Sequence, residues 1–248
     1  AKLPKDWKTF GVLSVEGIVT YSSNRGAAHL GTLVGSEKFY DYVRRFGFGE
    51  KTGLDIGIES RGILHPVRNW DGLTLSRMTM GHAISATPLQ IHYAMASVAN
   101  GGLLMRSQVV SRILDTENKE AVTYGPMLKH RVISSETART LSQLLVKTAS
   151  PGGTAHGAFI SGYRVAGKTG TAQKIVDGRY SSHHHVGSFS GFFPADDPSV
   201  VITVIVDGSR RDVPVSGSGT AVPSFRRISE KLIPYYAYHL EKGEQLLL

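Results

Sequence analysis

The chain has 248 residues, of which 41% are hydrophobic and 19% charged, and it carries a formal net charge of +8 and no cysteine. This composition is typical of a globular protein and excludes a disordered chain, which would have fewer apolar residues. The lack of cysteine excludes disulfide scaffolds, cysteine-ligated zinc, iron–sulfur clusters and thiol nucleophiles. A chain of this length can form one large domain or two small ones, and we expect a single domain. No apolar run is long enough to cross a membrane, and the first residues do not form a signal peptide.

The excess of basic residues does not indicate a nucleic-acid partner. Lysine and arginine are scattered singly or in pairs, and no basic run is interleaved with aromatic residues. Proteins that bind nucleic acids concentrate these residues on one face or stripe. We therefore expect no nucleic-acid partner, and we attribute the charge to solubility and to attraction by a polyanionic surface.

Residues 1–160 are predicted to be mainly helical. Ser22-Ser23-Asn24 would cap a helix with an apolar face, and recurring glycines over 46–62 indicate a long loop. Thr87-Pro88-Leu89-Gln90 combines a capping box with proline at the first helical position, which predicts a helix that ends before the glycines at 101 and 102. Ser135-Glu136 begins another predicted helix.

Residues 161–248 are predicted to form a sheet hairpin and a C-terminal helix. Alternation over 163–175 indicates one strand, and a second is expected over 186–193. After a turn, residues 200–206 are apolar on both faces, which predicts a central strand that is covered on both sides and antiparallel to its predecessor.

The final helix should begin at Pro223-Ser224. Its spacing predicts that Phe225, Ile228 and Leu232 face inward and that Pro234 kinks or ends the helix.

A phosphate-loop pattern, G-x-x-x-x-G-K-[ST], occurs at Gly162-Tyr-Arg-Val-Ala-Gly167-Lys168-Thr169. Such a loop needs a helix that starts at the lysine and a parallel crossover to the next strand. Here the strand alternation continues through Lys168, and the following strands are predicted to be antiparallel. We therefore regard nucleotide binding as the weak alternative.

The same residues suit a site of serine acylation. Lys168 offers a cation for a substrate carboxylate, Thr169 and Thr171 offer hydroxyls, and Gly170 allows a substrate backbone to lie along the strand. Lys-Thr-Gly also occurs at 51–53, within the glycine-rich loop, and we prefer the later copy because it lies in an alternating strand. Since alternation places Lys168 and Thr169 on opposite faces, a site that uses both must straddle the strand edge.

Ser22-x-Asn24 has two interpretations. It could serve only as a helix cap, or the serine hydroxyl could relay a proton while the asparagine amide holds a substrate amide.

Taken together, the motifs resemble one family. The chain is similar to the C-terminal part of the transpeptidase domain of class B penicillin-binding proteins, most like the septal, cell-division type. Penicillin-binding proteins carry a set of three short catalytic motifs, and two of them match here. The matching segments are Tyr21-Ser-Ser-Asn-Arg-Gly26, Phe46-Gly-Phe-Gly-Glu-Lys-Thr-Gly53, Gly81-His-Ala-Ile-Ser-Ala-Thr-Pro-Leu-Gln90, Ala99-Asn-Gly-Gly102, Ala166-Gly-Lys-Thr-Gly-Thr-Ala-Gln173 and Ser188-Phe-Ser-Gly-Phe-Phe-Pro-Ala-Asp-Asp-Pro198.

The resemblance implies an α+β fold, an antiparallel sheet flanked by helices on both faces, with 1–248 forming the C-terminal portion of one domain. It implies that Ser22 relays protons, that Asn24 binds the substrate amide, and that Lys168 polarises the nucleophilic serine and attracts the terminal carboxylate. Thr169 and Thr171 would bind that carboxylate, with Gly170 between them, and the N–H of Thr171 would be half of the oxyanion hole.

The nucleophile motif of the family, Ser-x-x-Lys, does not occur in this sequence. Thr116-Glu-Asn-Lys119 has the spacing but lies in a polar turn, and we attribute it to chance. We expect the nucleophile helix and the first strands of the sheet to belong to a missing N-terminal part of the same protein, possibly a second chain. Without those strands, the strand at 200–206 would have an unpaired apolar edge.

By the resemblance, the reaction is D,D-transpeptidation of peptidoglycan stem peptides through an acyl-serine, which β-lactam antibiotics block. The partners would include division proteins, and the site would lie outside the cytoplasmic membrane, anchored through a segment not in this sequence. The alternatives are a D,D-carboxypeptidase or β-lactamase-like hydrolase and a noncatalytic penicillin-binding scaffold. We expect no cofactor.

No metal site is expected either. His183-His184-His185 should lie on a loop between strands, where three adjacent side chains cannot all face one ion. Lys174, Asp177 and Arg179 are predicted to be solvated loop charges.

Overall fold

The computed structural model describes residues 4–54, 56–208 and 215–241. Six of its described α-helices precede the three-stranded sheet in the chain and one follows it. They are α1 (Val15–Thr20), α2 (Asn24–Val34), α3 (Ser36–Arg45), α4 (Thr74–Met78), α5 (Pro88–Ala99), α6 (Ser135–Ala149) and α7 (Val222–Glu241). None of them combines the length and the apolar composition that a membrane crossing requires, as far as the described residues go.

The strands form one three-stranded sheet and two small antiparallel pairs. They are β1 (Leu103–Met105), β2 (Arg112–Leu114), β3 (Glu120–Thr123), β4 (Leu128–Arg131), β5 (Ala166–Val176), β6 (Arg179–Phe193) and β7 (Val200–Asp207). The larger sheet has the order β5-β6-β7 and is antiparallel throughout, and β1 pairs with β4 and β2 with β3. The antiparallel pairing around Lys168 is incompatible with a phosphate loop, which agrees with our preference against nucleotide binding.

Helices cover both faces of the three-stranded sheet. On one face, Phe225 of α7 is fully buried against Phe189 and Phe193 of β6, with ring centroids 4.7 and 6.2 Å away. On the other face, α5 and α6 pack on Phe192 of β6 and on Val201 of β7. Burial of these large side chains is the main contribution to the stability of this layered arrangement.

Local capping begins the helices where the sequence predicts. The hydroxyl of Ser23 accepts from the N–H of Gly26 at the start of α2, and Thr87 and Gln90 form a complete capping box at the start of α5. Gln90 is buried, and its amide also donates to the carbonyls of Glu50 (2.7 Å) and Arg61 (2.9 Å). The Gln90 side chain therefore bonds two separate points of the glycine-rich loop to α5.

The hairpin between β5 and β6 is longer than predicted, because a two-residue turn joins the strands. Asp177 (φ 51°) and Gly178 (φ 74°) both have positive φ, as in the type I′ turn that matches the twist of a hairpin. The prediction that residues 183–185 lie on a loop is wrong, since these histidines belong to β6. Lys174 likewise lies in β5 and Arg179 in β6 rather than in a loop, and Lys174 pairs with Asp207 at 2.7 Å.

Both faces of β7 are covered, as predicted, and β7 lies at an edge of the three described strands. The sequence predicts an unpaired edge for this strand when the first strands of the sheet are missing. The prediction that Ile228 of α7 faces inward is wrong. In α7, Ile228 is 42% exposed, whereas Ser229, four residues after Phe225, is fully buried. The helix also continues past Pro234. The buried stripe follows the spacing of four from Phe225, which turns Ile228 toward the side of the helix.

Candidate active site

Ser22 lies in the turn between α1 and α2, in a backbone conformation that is uncommon for serine. Its φ is 55°, and its N–H donates to the carbonyl of Val19 while that of Ser23 donates to Ile18. These two bonds form a Schellman motif, in which Ser22 occupies the left-handed position that is usually glycine. Strained backbone positions of this kind cluster at functional sites, which makes Ser22 a candidate functional residue.

The hydroxyl of Ser22 meets the ammonium group of Lys168. Lys168 Nζ donates to Ser22 Oγ at 2.8 Å and to the carbonyl of Thr169 at 3.2 Å. Burial lowers the pKa of Lys168 from 10.5 to about 8, because the charged form loses hydration. At neutral pH the site therefore holds a cation that can release its proton more readily than an ordinary lysine.

The outer edge of β5 is available along the same residues. The hydroxyl of Thr148 in α6 donates to the carbonyl of Gly167, so Gly167 points away from β6. With a period of two, the backbone groups of Thr169 and Thr171 point to the same edge. An extended peptide could therefore add to β5 beside Lys168.

The hydroxyls of the two threonines have different neighbours. Thr169 Oγ1 donates to Thr154 Oγ1 at 3.4 Å, while Thr171 Oγ1 accepts from the N–H of Gly217 at 3.1 Å. Gly217 begins a π-helical turn, Gly217–Ala221, that lies tightly on the sheet. A Cβ at Gly217 would come within 2.6 Å of the carbonyl of Gly170, so this turn can approach β5 only as glycine.

Asn24 lies at the first position of α2, beside Ser22. Its side-chain nitrogen donates to the carbonyl of Lys5 at 3.1 Å. The structure thus brings Ser22 into contact with Lys168, which precedes Thr169 and Thr171 on the same strand, whereas the Asn24 side chain is bonded to the N-terminal segment. Lys168 and Thr169 leave opposite faces of β5, which gives the edge-straddling arrangement that strand alternation requires.

A row of polar residues that begins at Lys168 crosses the face of the sheet that α5 and α6 cover. Lys168, Ser190 and Thr203 are in register on β5, β6 and β7. Ser190 and Thr203 share a hydrogen bond of 2.7 Å, and Nδ1 of His92 in α5 lies 3.1 Å from Thr203 Oγ1. Burial lowers the pKa of His92, so the row ends in a mainly neutral imidazole near pH 7.

Sequence reasoning missed four residues around the site. Thr154 and Gly217 bond to Thr169 and Thr171, whereas Thr148 bonds to the neighbouring Gly167 and Asp6 bonds to Ser23 and Arg25, which flank the site residues. The Ser-Gly-Ser-Gly run at 216–219 is a signal that could have indicated a close backbone approach. The others lie in ordinary polar contexts, and only tertiary structure brings them to the site.

Comparison with known proteins identifies the family. Residues 2–230 match the family model described as the penicillin binding protein transpeptidase domain. The chain belongs to this family. Stage V sporulation protein D of Bacillus subtilis is 37% identical over 231 residues, which are 92% of this chain and 35% of that protein. A probable peptidoglycan D,D-transpeptidase, PenA, of Neisseria gonorrhoeae is 32% identical over 82% of this chain and 33% of that protein. These relatives confirm the resemblance to class B penicillin-binding proteins of the septal type.

Solved structures of penicillin-binding proteins have the same fold as this chain. Penicillin-binding protein 3 of Mycobacterium tuberculosis, in complex with aztreonam, superposes with a TM-score of 0.82 at 30% identity, over 94% of this chain and 54% of that one. The transpeptidase domain of Burkholderia pseudomallei penicillin-binding protein 3 gives 0.80 at 28% identity, over 93% and 67%. The predicted fold class is confirmed. The chain spans about a third of the length of the curated relatives it matches.

Proposed function

We propose that this chain forms part of a serine D,D-transpeptidase site that cross-links peptidoglycan stem peptides during cell-wall and septum synthesis. The observation that supports it best is the 2.8 Å contact between Lys168 Nζ and Ser22 Oγ, next to an edge strand that can accept an extended peptide. A cation that attracts the terminal carboxylate, a hydroxyl that relays protons and a strand edge that holds the peptide backbone are among the groups that acyl transfer from such a peptide requires.

Each site residue has a role in this proposal. Lys168 attracts the terminal carboxylate and polarises the nucleophilic serine. Ser22 relays a proton between the nucleophilic serine and the leaving amine. Thr169 and Thr171 donate hydroxyl hydrogen bonds to the carboxylate, and Gly170 lets the substrate backbone approach. The Thr171 N–H contributes to the oxyanion hole.

Asn24 would bind the substrate amide. Its side-chain nitrogen must then either give up the hydrogen bond to the Lys5 carbonyl or donate its second hydrogen to the substrate. The bond to the carbonyl of Lys5 uses one of the two N–H groups of the amide. The other N–H and the side-chain oxygen remain for a substrate peptide group in this proposal.

The nucleophile is proposed to come from outside these 248 residues. The Ser-x-x-Lys pattern does not occur in the sequence, and the relatives are about three times as long as the matched segment. Residues 1–248 would then be the C-terminal portion of one transpeptidase domain, and the remainder of that protein would be its first partner. We propose β-lactams, stem peptides and division proteins as further partners, at an extracytoplasmic site anchored by the remainder of the protein.

The test is a denaturing intact-mass spectrum of the full-length gene product, recorded with and without benzylpenicillin, beside the isolated 248-residue chain. We expect one penicilloyl adduct on the full-length protein, on a serine outside this chain, and none on the isolated chain. An unmodified full-length protein would contradict an acyl-serine site.

A second assay, with purified peptidoglycan strands, separates transfer from hydrolysis. Cross-linked dimers are expected for a transpeptidase. Release of free D-alanine without dimers would instead show a D,D-carboxypeptidase. If neither product forms, a noncatalytic penicillin-binding scaffold is the remaining alternative.

A further inference from the structure

Three consecutive residues near the N-terminus, Lys5, Asp6 and Trp7, cross the turn that carries Ser22; we name them the strap. The indole N–H of Trp7 donates to the carbonyl of Tyr21 at 3.1 Å, on one side of Ser22. On the other side, the carbonyl of Lys5 accepts from the Asn24 side chain and the carboxylate of Asp6 accepts from residues 23 and 25. The strap therefore bonds the residues that flank Ser22 on both sides.

Asp6 supplies the side-chain contacts of the strap to α2. Its Oδ2 accepts from the hydroxyl of Ser23 at 2.9 Å, and its Oδ1 accepts from the N–H of Arg25 at 3.1 Å. Ser23 is buried, and its hydroxyl also accepts from the N–H of Gly26. Two N–H groups of the first turn of α2 are thus satisfied, one directly by Asp6 and one through a hydroxyl that Asp6 orients.

The carboxylate is well suited to this position. A negative charge at a helix N-terminus is stabilised by the helix dipole and by the free N–H groups, and charge-assisted hydrogen bonds are stronger than neutral ones. Since Ser23 follows the left-handed residue directly, fixing Ser23 and Arg25 fixes the direction in which the backbone leaves Ser22. That direction decides whether the Ser22 hydroxyl meets Lys168 Nζ.

We propose that Asp6 is a positioning residue that holds the Ser22 hydroxyl at hydrogen-bond distance from Lys168 in the acylation reaction. This inference rests on the proposed function, since it assigns Asp6 to the proton relay of the same site. Asp6 acts through Ser23 and the start of α2, and it does not contact the reacting groups.

The experiment measures acylation of the full-length gene product by a fluorescent penicillin, with the limiting rate separated from the half-saturating concentration. Asp6→Ala is expected to lower the limiting rate by about 10- to 100-fold, because small displacements of a catalytic group have effects of this size. The half-saturating concentration should change less than threefold. Asp6→Asn keeps one acceptor oxygen at the same position and should recover part of the rate, and it also serves as the test if Asp6→Ala does not fold.

Ser134→Ala is the matched control. Ser134 caps α6 by accepting from the N–H of Thr137, so its loss removes a cap of the same kind from a helix that does not hold Ser22. Both variants are expected to unfold at a lower temperature than wild type. Only Asp6→Ala should lose acylation rate when the rates are compared on folded protein.

A double-mutant cycle tests the route of the effect. In a Ser22→Ala background, Asp6→Ala should lower the rate by less than threefold, because the hydroxyl it positions is gone. Full additivity, or an Asp6→Ala rate within threefold of wild type, would overturn the proposal while leaving the proposed function intact. Failure of the wild-type protein to be acylated would overturn both.

Discussion

Lys168 and Ser22, which are 146 positions apart in sequence, meet at 2.8 Å between Nζ and Oγ. Lys168 is carried by an edge strand and Ser22 by a tight turn between two helices. Each of the two local structures has a cost: the lysine loses hydration, and the serine adopts a left-handed backbone. Both features lower the stability of the folded chain. Both also bring together a lysine and a hydroxyl that can exchange protons, and such a conflict between stability and function is common at functional sites.

The cost at Lys168 predicts a specific dependence of stability on pH. A shift of the lysine pKa from 10.5 to about 8 corresponds to up to about 3 kcal/mol that opposes folding below pH 8. Lys168→Met should therefore unfold at a higher temperature than wild type at pH 7. Between pH 8 and 10.5 the unfolded wild type binds more protons than the folded one, so wild type gains stability as pH rises and the difference shrinks.

Calorimetry of both proteins at pH 7 and pH 10 measures this difference. Lys174→Met is the control on the same strand, because Lys174 is paired with Asp207 at the surface and its loss should change stability only slightly. A difference between Lys168→Met and wild type that stays constant from pH 7 to 10 would contradict the burial of a charged lysine.

Local chemistry makes much of the fold predictable. The cap at Ser23, the box formed by Thr87 and Gln90 and the alternation around Lys168 each depend on a few neighbouring residues, so their elements are visible in the sequence. The Asp177-Gly178 turn is an equally local signal, because an Asp-Gly pair between alternating segments strongly favours a hairpin. The polar residues after it nevertheless resemble a loop, and for this reason apolar alternation predicts the second strand only from 186 onward.

Features that depend on distant partners are not predictable in this way. The position of β7 in the sheet depends on which strands lie beside it, and its apolar residues report only that both faces are covered. The motif residues of the site are identified by their resemblance to a family, whereas Asp6, 17 positions before Ser23, has no sequence pattern that connects it to the site. Thr154 and Gly217 likewise reach β5 only through the packing of loops.

The left-handed turn at Ser22 predicts that replacing the serine by glycine or by alanine gives different stabilities but a similar loss of activity. Ser22→Gly removes the steric conflict of the Cβ, whereas Ser22→Ala keeps it, so the glycine variant should be more stable than the alanine variant by about 1 kcal/mol. Both variants lose the hydroxyl beside Lys168, and in the full-length gene product both should be acylated by a fluorescent penicillin at least tenfold more slowly than wild type.

Urea unfolding of the two variants gives the stability difference. Equal stability of the glycine and alanine variants would show that the turn relaxes to negative φ and that no strain is held there. Wild-type acylation by either variant would remove Ser22 from the proton relay.

The close contact of Gly217 with the sheet makes the glycine indispensable for the geometry of Thr171. A Cβ at Gly217 would lie 2.6 Å from the carbonyl oxygens of Gly170 and Ser188, and neither backbone can move without disturbing the β5–β6 ladder. Gly217→Ala should cost about 1–3 kcal/mol of unfolding free energy, as overpacking does, and should break the bond to Thr171 Oγ1.

Gly219→Ala is the matched variant two residues away. There the nearest atom is the hydroxyl oxygen of Ser216 at 2.9 Å, a side-chain atom that can rotate aside, so we expect a smaller loss of stability and little loss of acylation. In Gly217→Ala the half-saturating penicillin concentration of the full-length gene product should rise several-fold, because the Thr171 hydroxyl, which we propose to bind the carboxylate, loses its bond to Gly217. If both alanine variants bind and react like wild type, the turn at 217–221 does not shape the site, and the orientation of Thr171 must come from β5 alone.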